Sequence, residues 1–257
     1  MTRRERLTLA AVPDIPLLRP GDDLAAIIIA ALERAQLAPR EGDILVVAQK
    51  VVSKAQGRYV DLATVVPSAH ARELAQAVEK DPRLVEVILS ESARVLRHAP
   101  GVLVVEHRLG YIMANAGVDR SNVAPDAGAE PVLLLPDDPD AAAAALRAAV
   151  VAYFGKEIGV IVSDSFGRPW RQGTVGVAIG AAGVASLQDL RGHPDLYGRP
   201  LQVSETGFAD EVAAAASLLM GQADEGFPVV LVSGLAVSRP PLAARTLIRP
   251  EADDLFR

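Results

Sequence analysis

Val102-Leu-Val-Val-Glu106-His-Arg-Leu-Gly110-Tyr-Ile-Met-Ala-Asn115 decides the fold class of this chain. Two apolar runs, Val102–Glu106 and Tyr111–Asn115, flank a turn-forming link, Arg108-Leu-Gly110, and together predict a β-hairpin. A third β-rich run, Ala93–Arg97, lies just ahead of them. Hairpin strands are antiparallel, so the sheet is not expected to be purely parallel or doubly wound. Helical patterns alternate with apolar strands elsewhere, which makes the expected class α/β with a mixed sheet and hairpins.

Upstream, Val12-Pro-Asp-Ile-Pro16 carries two prolines and reads as extended or turning chain. Asp22 or Asp23 suits the cap of a helix from about Leu24 to Leu37. A Gly42-Asp43 turn leads to a buried strand, Ile44–Val47. The polar, basic stretch Gln49–Arg58 that follows reads as a binding loop at a strand end. His70–Lys80 and Pro82–Ser90 read as helices broken at Asp81-Pro82.

Downstream, alanine-rich Asp138–Phe154 predicts a helix with Pro139 in its first turn. Ile158–Val162 predicts a buried strand, Leu201–Val203 a short one, and Pro228–Val232 another. Phe208–Met220 predicts an amphipathic helix ended by Gly221. The glycine-rich tract with Gly173, Gly176, Gly180 and Gly183 permits close strand or helix packing. Without an internal repeat or a low-complexity linker, residues 1–257 read as one domain with room for two lobes.

Half of the 257 residues are apolar and only 4% are aromatic, so Ala, Val, Leu and Ile must build the core. A net charge of -6 argues against a general nucleic-acid binder. The chain has no cysteine, which removes disulfides, thiolate catalysis and Cys-ligated metals. The apolar runs Leu24–Leu32 and Ala141–Phe154 are too short or too interrupted to cross a bilayer, and Met1–Arg6 shows no signal-peptide pattern. A soluble, cytoplasmic protein without a membrane partner is expected. The P-loop, Rossmann, H-E-x-x-H and G-x-S-x-G motifs are all missing. Four histidines at 70, 98, 107 and 193 lack ligand spacing, so a metal here would be held by oxygen.

Three segments, each read as a glycine-flanked loop, carry such oxygens: Asn115-Ala-Gly-Val-Asp119-Arg-Ser-Asn122, Ser163-Asp164-Ser165-Phe-Gly-Arg168-Pro-Trp170-Arg171-Gln-Gly173, and Met220-Gly-Gln222-Ala-Asp224-Glu225-Gly226. Mg²⁺ and Mn²⁺ take one or two carboxylates plus waters and substrate phosphates, a role that Asp119 and Asp164 suit. Ser165 and Gln222 add neutral oxygens, and Lys50, Lys54, Arg58, Arg168 and Arg171 offer cations to phosphate. Each segment also has an ordinary explanation. An Asp beside Gly commonly makes a turn, Lys50–Arg58 could be a solvated face, and Trp170 could be a core or lid aromatic. Spacing alone stops at an α/β protein suited to phosphate.

Taken in order, Val46–Arg58, Glu106–Gly110, Ala116–Val123, Ser163–Gly173 and Gly221–Gly226 resemble the coenzyme F420-0:L-glutamate ligase family across nearly the whole chain. The resemblance implies a GTP-dependent amide ligase that adds L-glutamate to F420-0, with further glutamates in γ-linkage. It also implies Mg²⁺ or Mn²⁺, two per site, together with K⁺, and a homodimer of mixed α/β fold. Carried onto this sequence, Val12, Pro13, Asp14 and Ile15 look like a guanine-nucleotide loop, with Gln49, Lys54 and Asn122 as further nucleotide contacts. Met220, Gly221, Gln222, Ala223, Asp224, Glu225, Gly226 and Phe227 look like contacts of the same nucleotide. Asp119 and Asp164 look like ligands of one metal, Ser165 and Gln222 of a second. Gln49 replaces a small hydroxyl residue common in relatives, and Ser165 replaces a common Thr.

The expected chemistry is attack of the acceptor carboxylate on the γ-phosphate of GTP, then displacement of phosphate by the amine of glutamate. It needs no protein nucleophile. Arg168, Trp170 and Arg171 are candidates for holding the acceptor. Competing expectations are a related amide ligase acting on another acid, or a non-catalytic nucleotide- or cofactor-binding module.

Overall fold

The computed structural model describes residues 6–123, 130–235 and 240–255. In chain order its elements are β1 (Thr8–Ala11), α1 (Leu24–Arg34), β2 (Ile44–Ala48), α2 (Gln49–Ala55), β3 (Tyr59–Asp61), α3 (Ala69–Val78), α4 (Pro82–Ser90), β4 (Ser92–Ala99), β5 (Val102–His107) and β6 (Ile112–Ala114). They continue with β7 (Pro131–Leu133), α5 (Pro139–Phe154), β8 (Gly159–Arg168), β9 (Arg171–Ala182), β10 (Gln188–Asp189), β11 (Glu205–Thr206), α6 (Phe208–Met220) and β12 (Val229–Ser233).

The main sheet has the order β1-β12-β2-β8-β9. β2 and β8 run parallel, while β1–β12, β12–β2 and β8–β9 are antiparallel. The main sheet is therefore mixed, as expected, but through β1, β12 and β9; the hairpin that prompted the expectation lies in a separate sheet. Ile-Leu-Val-Val of β2 is wholly buried because both faces are covered. Leu45 and Val47 face α1 and α5, whereas Ile44 and Val46 face α6. Between α2 and α5 the chain builds a second lobe, in which α3 and α4 pack on β5, β7 and Val118. The β5–β6 hairpin forms there with β4 as its third strand.

Helix ends follow local chemistry. Asp23 caps α1 by accepting the N–H of Ala26, Asp81 caps α4, and Asp138 caps α5 through Ala141 N–H. Gly176 and Gly180 let β9 lie against helices. A Cβ at 176 would stand 2.6 Å from the Ala213 carbonyl of α6, and one at 180 would overlap the backbone of Pro139 in α5. The two glycines face opposite sides because the β8–β9 register slips between Val162 and Ser163, leaving Ile179 as an extra residue.

Several expectations need correction. Gln49–Arg58 is not a loop: Gln49–Ala55 is a helix that buries Val51, Val52 and Ser53. Ser163–Gly173 is not a loop either, because β8 runs on to Arg168 and returns directly as β9. Leu201–Val203 forms no strand; Glu205–Thr206 pairs with Gln188–Asp189 instead. The first helix stops at Arg34, short of Leu37.

Candidate functional site

A cavity of about 560 Å³ opens at the carboxyl ends of the parallel pair β2 and β8. In α/β sheets this end is where loops diverge and leave a crevice. Ala48, Gln49, Lys50, Val51 and Lys54 form one wall, Ser163, Asp164 and Ser165 the floor, and residues from Met220 to Pro228 another wall. Ile15, Pro16, Leu17 and Leu18 form an apolar rim, and Asn122 and Val123 close the side. At this volume the cavity falls within the usual range for small-molecule sites.

α2 delivers its cations by helical spacing. Val51 and Val52 anchor it in the core, so Lys50 and Lys54, four residues apart, share a face toward the cavity. Lys54 Nζ donates to the carbonyl of Asn122 at 2.6 Å. Burial pushes the Lys54 pKa down, and the charge of Lys50 adds to the effect. Lys50 Nζ pairs with Asp119 Oδ2 at 2.7 Å and donates to Ser121 Oγ at 2.5 Å. Gln49 is buried and accepts the hydroxyl of Ser53 at 2.9 Å.

Asp119 follows an unusual turn. Asn115, Ala116 and Gly117 all have positive φ, and Asp119 then bridges to Leu133 through both of its backbone groups. Its side chain accepts Ser121 N–H at 2.7 Å and Ser121 Oγ–H at 2.9 Å. Burial alone would raise its pKa, but Lys50 and Ser121 outweigh it and hold the carboxyl below the usual range. Asp164 comes from β8 just past the register slip and accepts Ser165 N–H at 2.8 Å. Burial pushes its pKa up to about 6; the Ser165 N–H and Lys50 oppose the rise, and the negative charge of Asp119 adds to it.

The third wall is shaped by its own carboxylate. Gly221 has φ +69, and a Cβ there would overlap Glu225, whose side chain accepts Ala223 N–H at 2.8 Å. Only glycine fits that position. Asn122 Nδ2 donates to Ala223 O at 3.1 Å and so joins this wall to the Asp119 segment.

The three segments singled out from sequence thus meet at one cavity, although not every residue faces it. Ile15, Gln49, Lys54, Asn122, Asp164, Ser165, Met220, Gly221, Gln222, Ala223, Asp224, Gly226 and Phe227 line it. Asp119 stands beside it through Lys50. Val12 is buried under it, bonded through its N–H to Val229 O, and Asp14 points outward with its carbonyl accepting from Arg34. Arg168, Trp170 and Arg171 sit at the β8–β9 tip outside the lining, and Trp170 is 87% exposed, which excludes a core role. Arg58 turns away to Glu91, Asp137 and the carbonyl of Leu135. Sequence reasoning missed the apolar rim Pro16–Leu18 and the pairing of Lys50 with Asp119. The i, i+4 spacing of Lys50 and Lys54 was the available signal for the shared face.

The donor set suits a hard divalent cation. Among the described residues no three His, Asp or Glu side chains cluster as a ready cage. An ion here would rest on Asp119 and Asp164, neutral oxygens such as Ser165, and phosphate or water. Asp164, half-buried and bonded at Oδ1 to one N–H, keeps lone pairs for such a bond.

These features define a class: mixed α/β proteins with a cavity carrying both ammonium and carboxylate groups at the carboxyl ends of parallel strands. Residues 14–234 match the model of the family described as F420-0:Gamma-glutamyl ligase, and the chain belongs to that family. Curated relatives named coenzyme F420:L-glutamate ligase include one from Methanopyrus kandleri, 46% identical over 98% of both chains. Another, from Methanothermobacter thermautotrophicus, is 44% identical over 98% of this chain and 99% of its own. A third, from Archaeoglobus fulgidus, is 40% identical over 98% of this chain and 97% of its own. Among the described residues no helix is long and apolar enough to cross a membrane.

Proposed function

We propose that this protein ligates L-glutamate to coenzyme F420-0, and further glutamates in γ-linkage, at the expense of GTP. The observation that supports it most is the meeting of Lys50, Lys54, Asp119 and Asp164 at one cavity with the 220–227 wall. Membership of the ligase family and the names of the relatives supply the substrates.

In this reading the nucleotide lies between the Ile15–Leu18 rim and the Met220–Phe227 wall, with its phosphates toward Lys54. The acceptor carboxylate attacks the γ-phosphorus, the bond to the β-phosphate oxygen breaks, and GDP leaves. The glutamate amine then attacks the acyl carbon, phosphate departs, and the amine loses a proton. Bound Mg²⁺ or Mn²⁺ supplies charge neutralisation at the phosphates, with Asp119 and Asp164 as its carboxylate ligands and Ser165 and Gln222 as oxygen donors for a second ion. Lys54 holds phosphate oxygens. The apolar rim keeps water from the acyl phosphate. Arg168, Trp170 and Arg171 reach toward the acceptor from the hairpin tip. A cytoplasmic homodimer belongs to the same proposal.

Incubation of pure protein with F420-0, GTP, Mn²⁺ and glutamate should add a glutamyl mass to the acceptor and release GDP. GTP loss with a different acid and none with F420-0 would redirect the substrate assignment. Binding without turnover would reduce the protein to a binding module.

A further inference from the structure

Gln49 opens α2, and its backbone has little freedom. The Ala48 N–H just before it donates to the Pro228 carbonyl at 2.8 Å, and Val51 and Val52 hold the helix in the core. Its side chain is buried, yet lines the cavity. A primary amide carries one acceptor oxygen and two N–H donors, and buried ones normally find partners. Ser53, wholly buried one turn on, takes the oxygen by donating its hydroxyl at 2.9 Å. A serine within a helix commonly donates to the backbone carbonyl four residues back, but here the hydroxyl goes to the side chain of that residue. Among the described residues nothing accepts from Gln49 Nε2.

With its oxygen committed to Ser53, the amide offers the cavity only N–H. Lys54 adds an ammonium on the same wall. Two donors on one wall, one of them charged, suit an anionic oxygen, and phosphate supplies it. On the nucleotide reading of the cavity, on which this rests, we propose that Ser53 is a positioning residue: its hydroxyl holds the amide of Gln49 with N–H toward the nucleotide's phosphates. Turning the amide over would set a carbonyl against phosphate, two acceptors that repel. Ser53 itself stands behind the lining and touches no ligand.

Calorimetric titrations of the full chain with Mg²⁺ and GTP test this, with inorganic tripolyphosphate as a probe that lacks base and ribose. Gln49→Glu keeps the shape and the bond from Ser53 but replaces N–H by a second acceptor. It should bind both probes about tenfold or more weaker than wild type, a hydrogen bond to a charged group being lost. Ser53→Ala frees the amide to turn and should weaken both about threefold or more, as the fraction of correctly turned amide falls. In the Gln49→Met background, which has no amide to orient, Ser53→Ala should change neither affinity, because the two residues act as one unit. Ser53→Cys, which keeps the volume but donates weakly, gives the same reading should the alanine variant melt early. KM for GTP should rise in Ser53→Ala while kcat stays near wild type. Equal losses from Ser53→Ala in both backgrounds, or none in either, would reduce Ser53 to a packing residue and overturn the proposal. Unchanged tripolyphosphate binding by Gln49→Glu would also overturn it, by taking the amide away from phosphate. A wild type that binds neither probe defeats the nucleotide reading itself, and the role of Ser53 falls with it.

Discussion

Arg58 Nη2 donates to Glu91 Oε2 at 3.0 Å, tying the chain after α2 to the chain just ahead of β4 within the second lobe. Arg108 Nε joins the same oxygen at 3.2 Å, and buried His107 presents Nε2 to it at 3.5 Å. The Nδ1 of His107 accepts the Leu109 N–H, so the proton of the neutral ring belongs on Nε2. Glu91 is thus a hub that gathers three groups of the second lobe.

Acid should loosen that hub. Burial works to raise the Glu91 pKa, but His107, Arg108 and Arg58 together hold it at about 2. A depressed carboxyl contributes stability that is present above its unfolded value, near 4.3, and lost as pH falls through the folded value near 2. The wild type should therefore lose on the order of 2–3 kcal/mol between about pH 5 and pH 2 from this group. Glu91→Gln should be weaker at pH 7 and flatter toward acid in urea titrations. Parallel pH curves for the two proteins would remove Glu91 from this role.

Asp119→Asn and Asp164→Asn should each cut glutamyl transfer by about a hundredfold or more, since phosphoryl transfer leans on charge neutralisation. Asp164 is a half-buried carboxylate with no ion pair among the described residues, so its amide variant should melt no lower than wild type. Mass spectrometry of the product and a thermal melt of the same sample measure both effects. Activity near normal in both variants would defeat the metal-ligand assignment.

Lys54→Ala should weaken GTP binding by about tenfold or more, a charge-assisted hydrogen bond being worth roughly 1.5–3 kcal/mol. Calorimetric titration with GTP is the check. An unchanged dissociation constant would place Lys54 in a purely structural role, tying α2 to Asn122.

Gly180→Ala should cost about 1–3 kcal/mol or more, because its methyl overlaps the backbone of Pro139, which cannot swing aside. Gly167→Ala, at a position with open space around it, should stay within about 0.5 kcal/mol. Thermal melts of the pair decide whether α5 truly lies that close to β9.

Trp170→Ala tests the hairpin tip. Its 87% exposure predicts a change in stability within about 0.5 kcal/mol. A role with the acceptor predicts a raised KM for F420-0 and an unchanged GTP affinity. Equal kinetics in wild type and variant would release Trp170 from the site.

How legible was all this beforehand? Phe208–Met220 was readable end to end, since an amphipathic run stops at a glycine whose backbone no other residue can adopt. Ser163–Gly173 was mistaken for a loop because Gly167, Pro169 and Gly173 punctuate it. The strand continues there because β9 pairs with it through Arg168–Arg171, a bond pattern invisible in the residues. Gln49–Ala55 was hidden by brevity, as seven residues give too few repeats to show a helical period. At the site, Asp119, Asp164 and Gln222 were recognisable by type and glycine-flanked setting. The Lys50–Asp119 pair was not, because nothing local records which distant turn will fold over α2.

The strand order β1-β12-β2-β8-β9 has a consequence for biosynthesis. β2 leaves the ribosome early, yet both of its partners lie far downstream, one beyond the whole second lobe and the other near the end of the chain. A nascent Ile-Leu-Val-Val-Ala segment must wait with two open edges until β8 is made, and with one open edge while more than half of the protein is synthesised before β12. Long-range pairing of this kind folds slowly and exposes sticky strand edges. Chaperone demand during translation, rather than the stability of the finished enzyme, should limit the yield of overexpressed protein.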